Sequence, residues 1–348
     1  MKAITVVPGD PSSVATAEVP DLPPDDRTLL VEGELLGICG TDADIVEDGY
    51  GSPPPGEERL LLGHESLGVV REAPRGSGFS PGDRVAGIVR RPDPVPCGPC
   101  GEGEWDFCLN GRYTERGIKE LHGYGSQLWR LEPEFAVPVD PSLGDCGVLV
   151  EPASVLAKAW EQTERILARA SLRPRTALIT GAGPIGLFGA MMGVQRGLDV
   201  HVLDRNDTGP KPDLVRQLGA TYHTGEVTEL PLRPDVVIEC TGHGPLVFGL
   251  SEILPPASVL CLTGIASGSK EVSVDADEVN KMLVLDNSVV FGTVNAARRH
   301  YEQAVRALAE ADRTWLERLI TRRVPMDGYA EALHKGPQDV KVVVDLRS

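Results

Sequence analysis

Short apolar runs separated by turns dominate the first 150 residues of the chain. The runs ITVV, TLLVEGELLGI, SLGVVREA and DRVAGIV are separated by segments such as PPDD, PPPGEE and SPGD. Short runs of this kind between Gly- and Pro-rich turns are typical of strands. The pattern predicts a β-rich, barrel-like region and then a helix over residues 152–170, where apolar residues recur at helical spacing.

From residue 176 onward, strand-like and helix-like segments alternate. TALIT at 176–180 runs into GAGPIG, the helix-like tract LFGAMMGVQRG follows, and the strand DVHVLD comes next. LVRQLGATYH, DVVIECTG and SVLCLTGI continue the alternation. Because strands that alternate with helices build parallel sheets from βαβ units, this region predicts a doubly wound α/β domain.

The C-terminal part of the chain predicts a helix over 298–322 and a last strand in DVKVVVDL at 339–346. Just before it, the apolar segment SVVFGTV at 288–294 has two interpretations. It is either a sheet edge that pairs across subunits or an inner strand of the parallel sheet. The pattern alone does not decide between them.

Length and composition indicate a globular chain of about two domains, with 348 residues of which 41% are hydrophobic. No apolar run approaches the roughly 18–20 residues that span a membrane, and the N-terminus MKAITVVPGD lacks the features of a signal peptide. We therefore expect a cytoplasmic enzyme without a membrane partner. The net charge of −17 argues against a nucleic acid partner and reflects either a salt-rich habitat or a need for solubility.

Three of the seven cysteines lie close together in a segment rich in Gly and Pro. Cys97, Cys100 and Cys108 have the spacing C-x2-C and C-x7-C. In a long chain without a secretion signal, such a cluster favours metal binding over disulfides. A closed structural zinc site needs four ligands, however. The sequence leaves open a damaged site, an unusual fourth ligand or three unrelated thiols.

A glycine-rich loop, G-x-G-x-x-G, follows the strand TALIT and precedes a helix. Gly181 allows the tight turn, Gly183 lets the backbone approach a pyrophosphate, and Gly186 lets helix and strand pack closely. Pro184 and Ile185 lie between the last two glycines, at the helix start that offers free N–H groups to phosphates. The strand and helix on either side favour dinucleotide binding over an empty βα turn.

The residues after the next strands indicate which dinucleotide binds. Asp204 ends the strand DVHVLD, where a carboxylate accepts hydrogen bonds from both ribose hydroxyls and repels a 2′-phosphate. This favours NAD over NADP. Arg205 is next in the chain and could stack on adenine or bind a phosphate, so NADP stays open. Further along the chain, we expect Thr241 and Asn295 to contact the cofactor as well.

A second set of potential metal ligands is spread over the β-rich region. Cys39 lies in CGTD after a strand, His64 and Glu65 lie in GHE, and Glu151 lies where the β-rich region ends. A thiolate, an imidazole and a carboxylate are the mixed ligands of a catalytic zinc that keeps one position open. Taken singly, a buried cysteine is usually a small core residue. The combination with a nucleotide loop favours catalysis.

Together these residues resemble the medium-chain, zinc-dependent alcohol and polyol dehydrogenases. Within that family they are most similar to the archaeal-type glucose dehydrogenases, through RYTERGIKELHGYGSQLW, EPASV and FGTVNAARRHYEQAV. The likeness covers essentially the whole chain. It implies an α/β fold with a GroES-like catalytic domain at residues 1–152 and 298–348, an inserted Rossmann domain at residues 153–297, and an active site in the cleft between them.

The resemblance also implies roles for the residues around the metal. Cys39, His64 and Glu65 match the ligands of the catalytic zinc, and Glu151 matches a fourth or exchangeable ligand. Thr41 matches the hydroxyl that relays the substrate proton. Asp44 stands where many alcohol dehydrogenases have a histidine in the proton relay.

On the substrate side, Glu115 and Asn295 match residues that bind sugar hydroxyls. Two departures from the glucose dehydrogenase pattern are Val89 and Asp286, which stand where relatives have an asparagine and a histidine. The resemblance therefore predicts a sugar or polyol as the substrate. Asp286 could instead pair with the amine of an amino-cyclitol, which is the first alternative. A non-catalytic nucleotide-binding protein is the second.

The family's structural zinc loop usually has four cysteines with the spacing C-x2-C-x2-C-x7-C. Cys97, Cys100 and Cys108 match the last three, and the position of the first is Pro94. Asp93 is adjacent, and carboxylate oxygen is an acceptable zinc ligand. We therefore predict Asp93 as the fourth ligand beside Cys97, Cys100 and Cys108. Water, Glu102 or the absence of a metal are the alternatives. The family also implies a homodimer or homotetramer.

Overall fold

The computed structural model describes residues 1–265 and 271–348, and their backbone divides into two compact units. The first unit comprises Met1–Ser154 and Asn295–Ser348, and the second comprises Val155–Val294. The predicted boundaries after residues 152 and 297 lie two residues earlier and three residues later than these. The first boundary of the units falls inside a long helix, and the domain boundaries of the sequence analysis stay a prediction.

The first unit is built mainly from short strands, as the punctuated apolar runs predict. In chain order they are β1 Lys2–Val7, β2 Asp10–Glu18, β3 Leu29–Gly37, β4 Leu60–Leu61, β5 Glu65–Glu72, β6 Arg84–Gly87, β7 Arg90–Arg91, β8 Thr114–Arg116, β9 Glu120–Leu121, β10 Leu128–Leu131 and β11 Ala136–Pro138, and the same unit later contains β18 Ile320–Pro325 and β19 Lys341–Asp345.

The largest sheet of this unit has the order β11-β6-β5-β3-β19-β18, and β10 also pairs with β3. Side chains of β3 alternate between fully and partly buried over its first half, as expected for a strand with one face on the core. The last strand, β19, returns to pair antiparallel with β3, with Val343 opposite Gly37. The ends of β3, β5 and β19 therefore lie side by side.

Most helices of the first unit are short. They are α1 Gly40–Asp48, α2 Gly98–Gly101, the start of α3 Val150–Ala168, α8 Arg298–Ala309, α9 Arg313–Leu319 and α10 Tyr329–Leu333. The prediction of one helix over 298–322 is wrong in two places. Asp312 caps a new helix by accepting hydrogen bonds from Thr314 and Trp315, and residues after Leu319 form β18, which pairs in parallel with β19.

The second unit contains the parallel sheet that the alternating pattern predicts. Its strands are β12 Thr176–Thr180, β13 Asp199–Leu203, β14 Thr221–His223, β15 Val236–Glu239, β16 Val259–Leu262 and β17 Val289–Gly292, in the order β14-β13-β12-β15-β16-β17. The rest of α3 belongs to this unit, together with α4 Pro184–Gln195, α5 Pro210–Gln217, α6 Gly244–Gly249 and α7 Ala276–Val284.

Two features of the second unit bear on function. The order of its strands reverses at β12, and in open parallel sheets ligands bind beyond the carboxyl ends of the strands at such a point. The strand β17 lies at the edge of the sheet within the described residues, which favours the edge interpretation of SVVFGTV over the inner-strand one. Among the described residues, no helix is both long and apolar enough to cross a membrane.

Candidate active site

Cys39, His64 and Glu65 come together in the first unit, with one potential ligand atom of each within 4.8 Å of the others. We call these three residues the catalytic cluster. Cys39 follows β3 and caps α1, whereas Glu65 is the first residue of β5 and pairs with Gly37 across the sheet. Adjacent strand ends thus bring together a thiol and a carboxyl group separated by 26 positions in the sequence.

Asp42 supports the cluster from behind. It is fully buried, and its Oδ2 accepts a hydrogen bond of 2.8 Å from the backbone N–H of Cys39, so it fixes the start of α1. Its Oδ1 lies 3.5 Å from Nδ1 of His64. A carboxylate behind a histidine orients the ring and selects which nitrogen faces a metal. Sequence reasoning had placed Asp42 in CGTD without giving it a role.

Lys341 holds the other side of the cluster. Its ammonium forms an ion pair with Oε2 of Glu65 and donates a hydrogen bond of 3.0 Å to the carbonyl of Ile38. Both side chains of the pair are 2% exposed. A Cβ atom on Gly37 would collide with the Glu65 carboxylate, so glycine is needed there for the pair to form. Sequence analysis missed Lys341, for which the only signal was a lysine inside the apolar strand DVKVVVDL.

The electrostatics of the cluster suit a bound cation. Burial by itself would lower the pKa of His64, but the negative charges of Asp42, Cys39 and Glu151 outweigh it and raise that pKa well above its usual value. Burial raises the pKa of Glu151 to about 7, although His64 opposes this. An imidazole surrounded by acidic groups indicates an excess of negative charge, which a divalent ion would balance.

The donor set also fits zinc. Sulfur, imidazole nitrogen and carboxylate oxygen are its usual protein ligands, and three of them leave a position for substrate. Glu151 lies in the first turn of α3, and its negative charge raises the pKa of His64. The group of mutually close ligand atoms does not include it, however. Its part as a fourth or exchangeable ligand stays a prediction. Thr41 has its hydroxyl 3.8 Å from Sγ of Cys39, and its part in a proton relay stays a prediction.

The glycine-rich loop of the second unit has the backbone that a phosphate site needs. Gly181 has a φ of +88° after β12, and Gly183 caps α4, with Pro184 in the first turn. A Cβ atom on Gly186 would overlap the carbonyl of Gly181, so helix and strand approach closely there. Ile185 continues the first turn of α4. The N–H groups at the start of this helix are available to phosphates.

Asp204 at the end of β13 is tied to the glycine-rich loop. Its Oδ2 accepts a hydrogen bond of 2.7 Å from the N–H of Ala182 and one of 3.2 Å from the Lys211 ammonium, while Oδ1 accepts from the N–H of Asn206 at 3.0 Å. Burial opposes ionisation, but these hydrogen bonds and the charge of Lys211 prevail and lower the pKa of Asp204. Arg205 is exposed. Lys211 was not foreseen.

Glu239 links two loops at the carboxyl ends of β15 and β16. This fully buried carboxylate accepts hydrogen bonds from the N–H of Thr241 at 2.6 Å and of Gly242 at 3.2 Å. Its own carbonyl accepts from the N–H groups of Thr263 and Gly264 at 2.8 and 3.1 Å. Thr241, which we expect to contact the cofactor, is therefore held in place by an acidic residue that the sequence analysis did not consider.

Comparison with known proteins decides the family. The family described as "Glucose dehydrogenase C-terminus" matches residues 144–346, and the one described as "Alcohol dehydrogenase GroES-like domain" matches residues 25–141. A glucose 1-dehydrogenase of Methanocella arvoryzae is 36% identical, with 99% of each chain covered. The chain belongs to the glucose dehydrogenase family of zinc-dependent medium-chain dehydrogenases.

Other relatives agree with this assignment. Glucose 1-dehydrogenase of Thermoproteus tenax is 37% identical, and all of both chains is covered. The solved glucose dehydrogenase of Haloferax mediterranei, in complex with NADP, zinc and gluconolactone, is 30% identical with a TM-score of 0.92 and 99% coverage of each chain. The predicted GroES-like and Rossmann folds are thereby confirmed, as is the predicted family.

The two residues that the family resemblance assigns to sugar binding meet in the first unit. Nδ2 of Asn295 donates a hydrogen bond of 2.8 Å to Oε1 of Glu115, and Glu115 is 6% exposed. Asn295 has a φ of +61°, an uncommon conformation for a residue with a side chain, and such residues concentrate at functional sites. At the departure Val89, the backbone N–H donates to the hydroxyl of buried Tyr301 at 3.2 Å.

Asp286 belongs to the second unit, just after α7. It lines a cavity of about 660 Å³ together with Phe248 of α6, Glu252 just after α6, and Glu278 and Met282 of α7. Glu115 and Asn295 are both in the first unit, so neither unit by itself brings Asp286 to them. A role for Asp286 in binding a substrate amine stays a prediction. Asp44, on α1, is exposed.

The second cluster of potential metal ligands is the thiol cluster of Cys97, Cys100 and Cys108, whose sulfur atoms also lie within 4.8 Å of one another. The N–H of Leu109 donates to Sγ of Cys97 at 3.3 Å. This hydrogen bond is the main reason why the pKa of Cys97 falls to about 7, whereas burial raises the pKa of Cys100 to about 11. The loop is thus folded around its sulfur atoms.

The group of mutually close sulfur atoms does not include the carboxylate of Asp93, so Asp93 as the fourth ligand of this cluster stays a prediction. The carboxylate accepts hydrogen bonds from the N–H of Val95 at 2.8 Å, the amide of Asn110 at 2.7 Å and the guanidinium of Arg112 at 3.1 Å. Asp93 organises the loop through these donors. Within the described residues, the cluster offers three protein ligands to a metal.

Proposed function

We propose that this protein oxidises a sugar, with glucose as the first candidate, by transferring hydride from a hydroxyl-bearing carbon to a nicotinamide dinucleotide. The observation that carries the proposal is the catalytic cluster, in which a thiol, an imidazole and a carboxyl group are held by Asp42 and Lys341. The pairing of Glu115 with Asn295 in the same unit and the family's glucose 1-dehydrogenases support it.

The residues of the cluster would hold zinc, which supplies a Lewis acid that makes the reacting hydroxyl more acidic. Thr41 would then accept the hydroxyl proton and pass it toward solvent, since its side chain is only partly buried. Asp42 keeps the ring of His64 oriented, and Lys341 restrains Glu65. These fixed charges mean that little has to reorganise as the proton leaves and hydride is transferred.

For the cofactor, we propose that NAD is preferred over NADP. The proposal rests on Asp204, whose lowered pKa keeps a negative charge where a ribose 2′-phosphate would lie. The Haloferax relative was solved with NADP, and Arg205 and Lys211 are cations near the same position. Steady-state kinetics test this proposal directly: we expect a higher kcat/KM with NAD, and replacement of Asp204 by Gly to shift the preference toward NADP. A wild-type preference for NADP would refute it.

For the assembly, we propose a homodimer formed through the edge strand β17. Val290 is 38% exposed there, and Val294, just after the strand, is 51% exposed. An apolar edge with free N–H and C=O groups favours pairing with a second strand. Light scattering on the purified protein tests this, with a Val290→Lys variant expected to yield monomers. A wild-type monomer would exclude the homodimer.

A cytoplasmic location also stays a prediction.

The experiment that tests the proposed function is an assay of nicotinamide reduction over a substrate panel. The panel contains glucose, galactose, myo-inositol and glucosamine, each with NAD and with NADP. We expect glucose and galactose to be oxidised far faster than the amino sugar glucosamine. Faster turnover of glucosamine would favour the amine alternative that Asp286 motivates. Absence of turnover with the whole panel, in protein that contains zinc, would contradict sugar oxidation.

A further inference from the structure

Arg90 lies beside the residues that we expect to bind sugar. It forms the short strand β7 with Arg91 and pairs directly with Glu115 of β8 in the antiparallel register. Its Nε and Nη2 both lie 3.0 Å from Oε1 of Glu115, the oxygen that also accepts a hydrogen bond from Asn295. Three donors therefore converge on a single carboxylate oxygen.

The guanidinium of Arg90 is itself immobilised. Its Nη1 donates a hydrogen bond of 3.2 Å to the carbonyl of Asp106, and its Cζ lies 3.7 Å from the ring centroid of Tyr113. The ammonium of Lys119 lies 4.2 Å from the centroid of the same ring. Arg90 is 6% exposed. The cation–π contact with Tyr113 and the buried hydrogen bonds to Asp106 and Glu115 leave the planar guanidinium little freedom.

The second oxygen of Glu115 is in a different position. Within residues 1–265 and 271–348, no donor lies within hydrogen-bond distance of Oε2, although Oε1 has three. A carboxylate oxygen has about two lone-pair sites, so Oε1 is saturated and Oε2 is available to a ligand. A hydroxyl-rich substrate supplies the donors that such an oxygen accepts.

We propose that Arg90 is a positioning residue that fixes Glu115 with Oε2 toward the sugar, and thereby sets the discrimination between a sugar and its deoxy analogue. This inference rests on the proposed function. A fixed acceptor loses its partner when the substrate hydroxyl is missing, and an unpaired polar group in a binding site carries a large cost. A mobile carboxylate could instead turn to water and would discriminate less.

Arginine is needed for this role because of its shape. The guanidinium presents Nε and Nη2 side by side to one carboxylate oxygen, whereas an ammonium is a point charge on a flexible chain. Lysine at position 90 would retain the charge beside Glu115 but not the direction of the hydrogen bonds. The inference therefore predicts that even the conservative replacement Arg90→Lys weakens discrimination.

Arg91 provides a matched control. It is the next residue of β7, is 8% exposed, and stacks on Phe135 with its Cζ 4.0 Å from the ring centroid. Its guanidinium pairs with Glu132 at 3.1 Å and donates to the carbonyl of Ile88 at 2.7 Å. Arg91 thus has the same burial, charge and kind of aromatic contact as Arg90, but it does not contact Glu115.

The experiment compares Arg90→Lys and Arg90→Met with Arg91→Lys and Arg91→Met in the full-length, zinc-loaded enzyme. For each variant, kcat/KM is measured with glucose and with 2-deoxy- and 3-deoxyglucose, and KM is measured for the nucleotide. Discrimination is the ratio of kcat/KM for glucose to kcat/KM for a deoxy sugar. For the deoxy sugar that the wild type rejects more strongly, we expect this ratio to fall about 10- to 100-fold in both Arg90 variants. Nucleotide KM and the ratios of the Arg91 variants should stay within about twofold of wild type.

The outcomes separate this inference from the proposed function. If the wild type oxidises no sugar, the proposed function fails and takes the inference with it. If the wild type discriminates between glucose and its deoxy analogues but Arg90→Lys discriminates equally well, the role of Arg90 is refuted while sugar oxidation stands. A parallel loss of discrimination in Arg91→Lys would also refute it, because the effect would then be a general one on the fold. If Arg90→Met does not fold, Arg90→Lys decides.

Discussion

In both the catalytic cluster and the thiol cluster the potential ligand atoms lie within 4.8 Å of one another, but the two clusters differ in their surroundings. Around the catalytic cluster, two charged side chains are buried against the ligands: Asp42 from the same motif as Cys39, and Lys341 from a distant part of the chain. Around the thiol cluster, the contacts come from neighbouring backbone, such as the N–H of Leu109, and two of the three thiols are only partly buried.

This difference is the one expected between a reactive metal site and a stabilising one. Mixed ligands and buried outer charges tune a metal and leave a position for substrate. A set of thiols in a loop with few apolar residues ties that loop down but offers no acid, base or substrate contact. We infer that the two clusters contribute separately, the first to catalysis and the second to stability.

The largest effect is expected from His64→Ala. Loss of a ligand from the catalytic cluster removes Lewis-acid stabilisation worth several kcal/mol, so kcat/KM for glucose should fall by about a thousandfold or more. Binding of the reduced nucleotide, measured by fluorescence, should be unchanged. The matched variant in the thiol cluster, Cys97→Ala, should keep most of its activity. Equal losses in both variants would remove the distinction between the clusters.

A smaller loss is expected from Lys341→Met. The change leaves the carboxylate of Glu65 buried without its partner, which costs about 3–5 kcal/mol of stability. Loss of an outer partner also lowers metal affinity or activity, by about 10- to 100-fold. Lys281→Met is the control, because Lys281 forms an exposed pair with Glu278 and should leave the melting temperature unchanged. If Lys341→Met, like Lys281→Met, changed neither the melting temperature nor the activity, the buried pair would have no role.

Cys100→Ala should act on stability and hardly on chemistry. Removal of the buried sulfur of the thiol cluster loosens its loop, and the melting temperature should fall by about 2–4 °C for each kcal/mol lost. At a temperature where the variant is folded, kcat for glucose should be within about twofold of wild type. A large fall in kcat without a fall in melting temperature would contradict the stabilising role.

The smallest effect is expected from Asp93→Asn. Because the carboxylate accepts hydrogen bonds from Val95, Asn110 and Arg112, an isosteric amide should weaken the loop slightly. If the carboxylate makes only these contacts, zinc content should equal that of the wild type. Loss of one zinc per chain in this variant would show that Asp93 ligates a metal.

Local patterns in the sequence predicted the parts of the site that are local in the structure. GAGPIG, CGTD and GHE lie at strand ends or helix starts, and the turn that each needs is encoded within a few residues. Lys341 and Arg90 escaped prediction because their partners, Glu65 and Glu115, are 276 and 25 positions away. Only the pairing of strands brings them together.

Two expectations met contacts that the motifs do not encode. Asp93 was chosen for its place beside a missing cysteine, and its carboxylate also accepts a hydrogen bond from the N–H of Val95, two residues later. The helix expected up to residue 322 ends at Leu319 because Ile320–Pro325 finds a partner in β19. The helix end was therefore determined by a contact outside the pattern.

The most direct test of the account is a chelator titration of the purified protein in which released zinc, the rate of glucose oxidation and the melting temperature are followed together. The account predicts that activity is lost with the zinc of the catalytic cluster and returns when zinc is added back. If a second zinc is present, its release should lower the melting temperature without changing the rate. Full activity in protein from which all zinc has been removed would contradict the central claim.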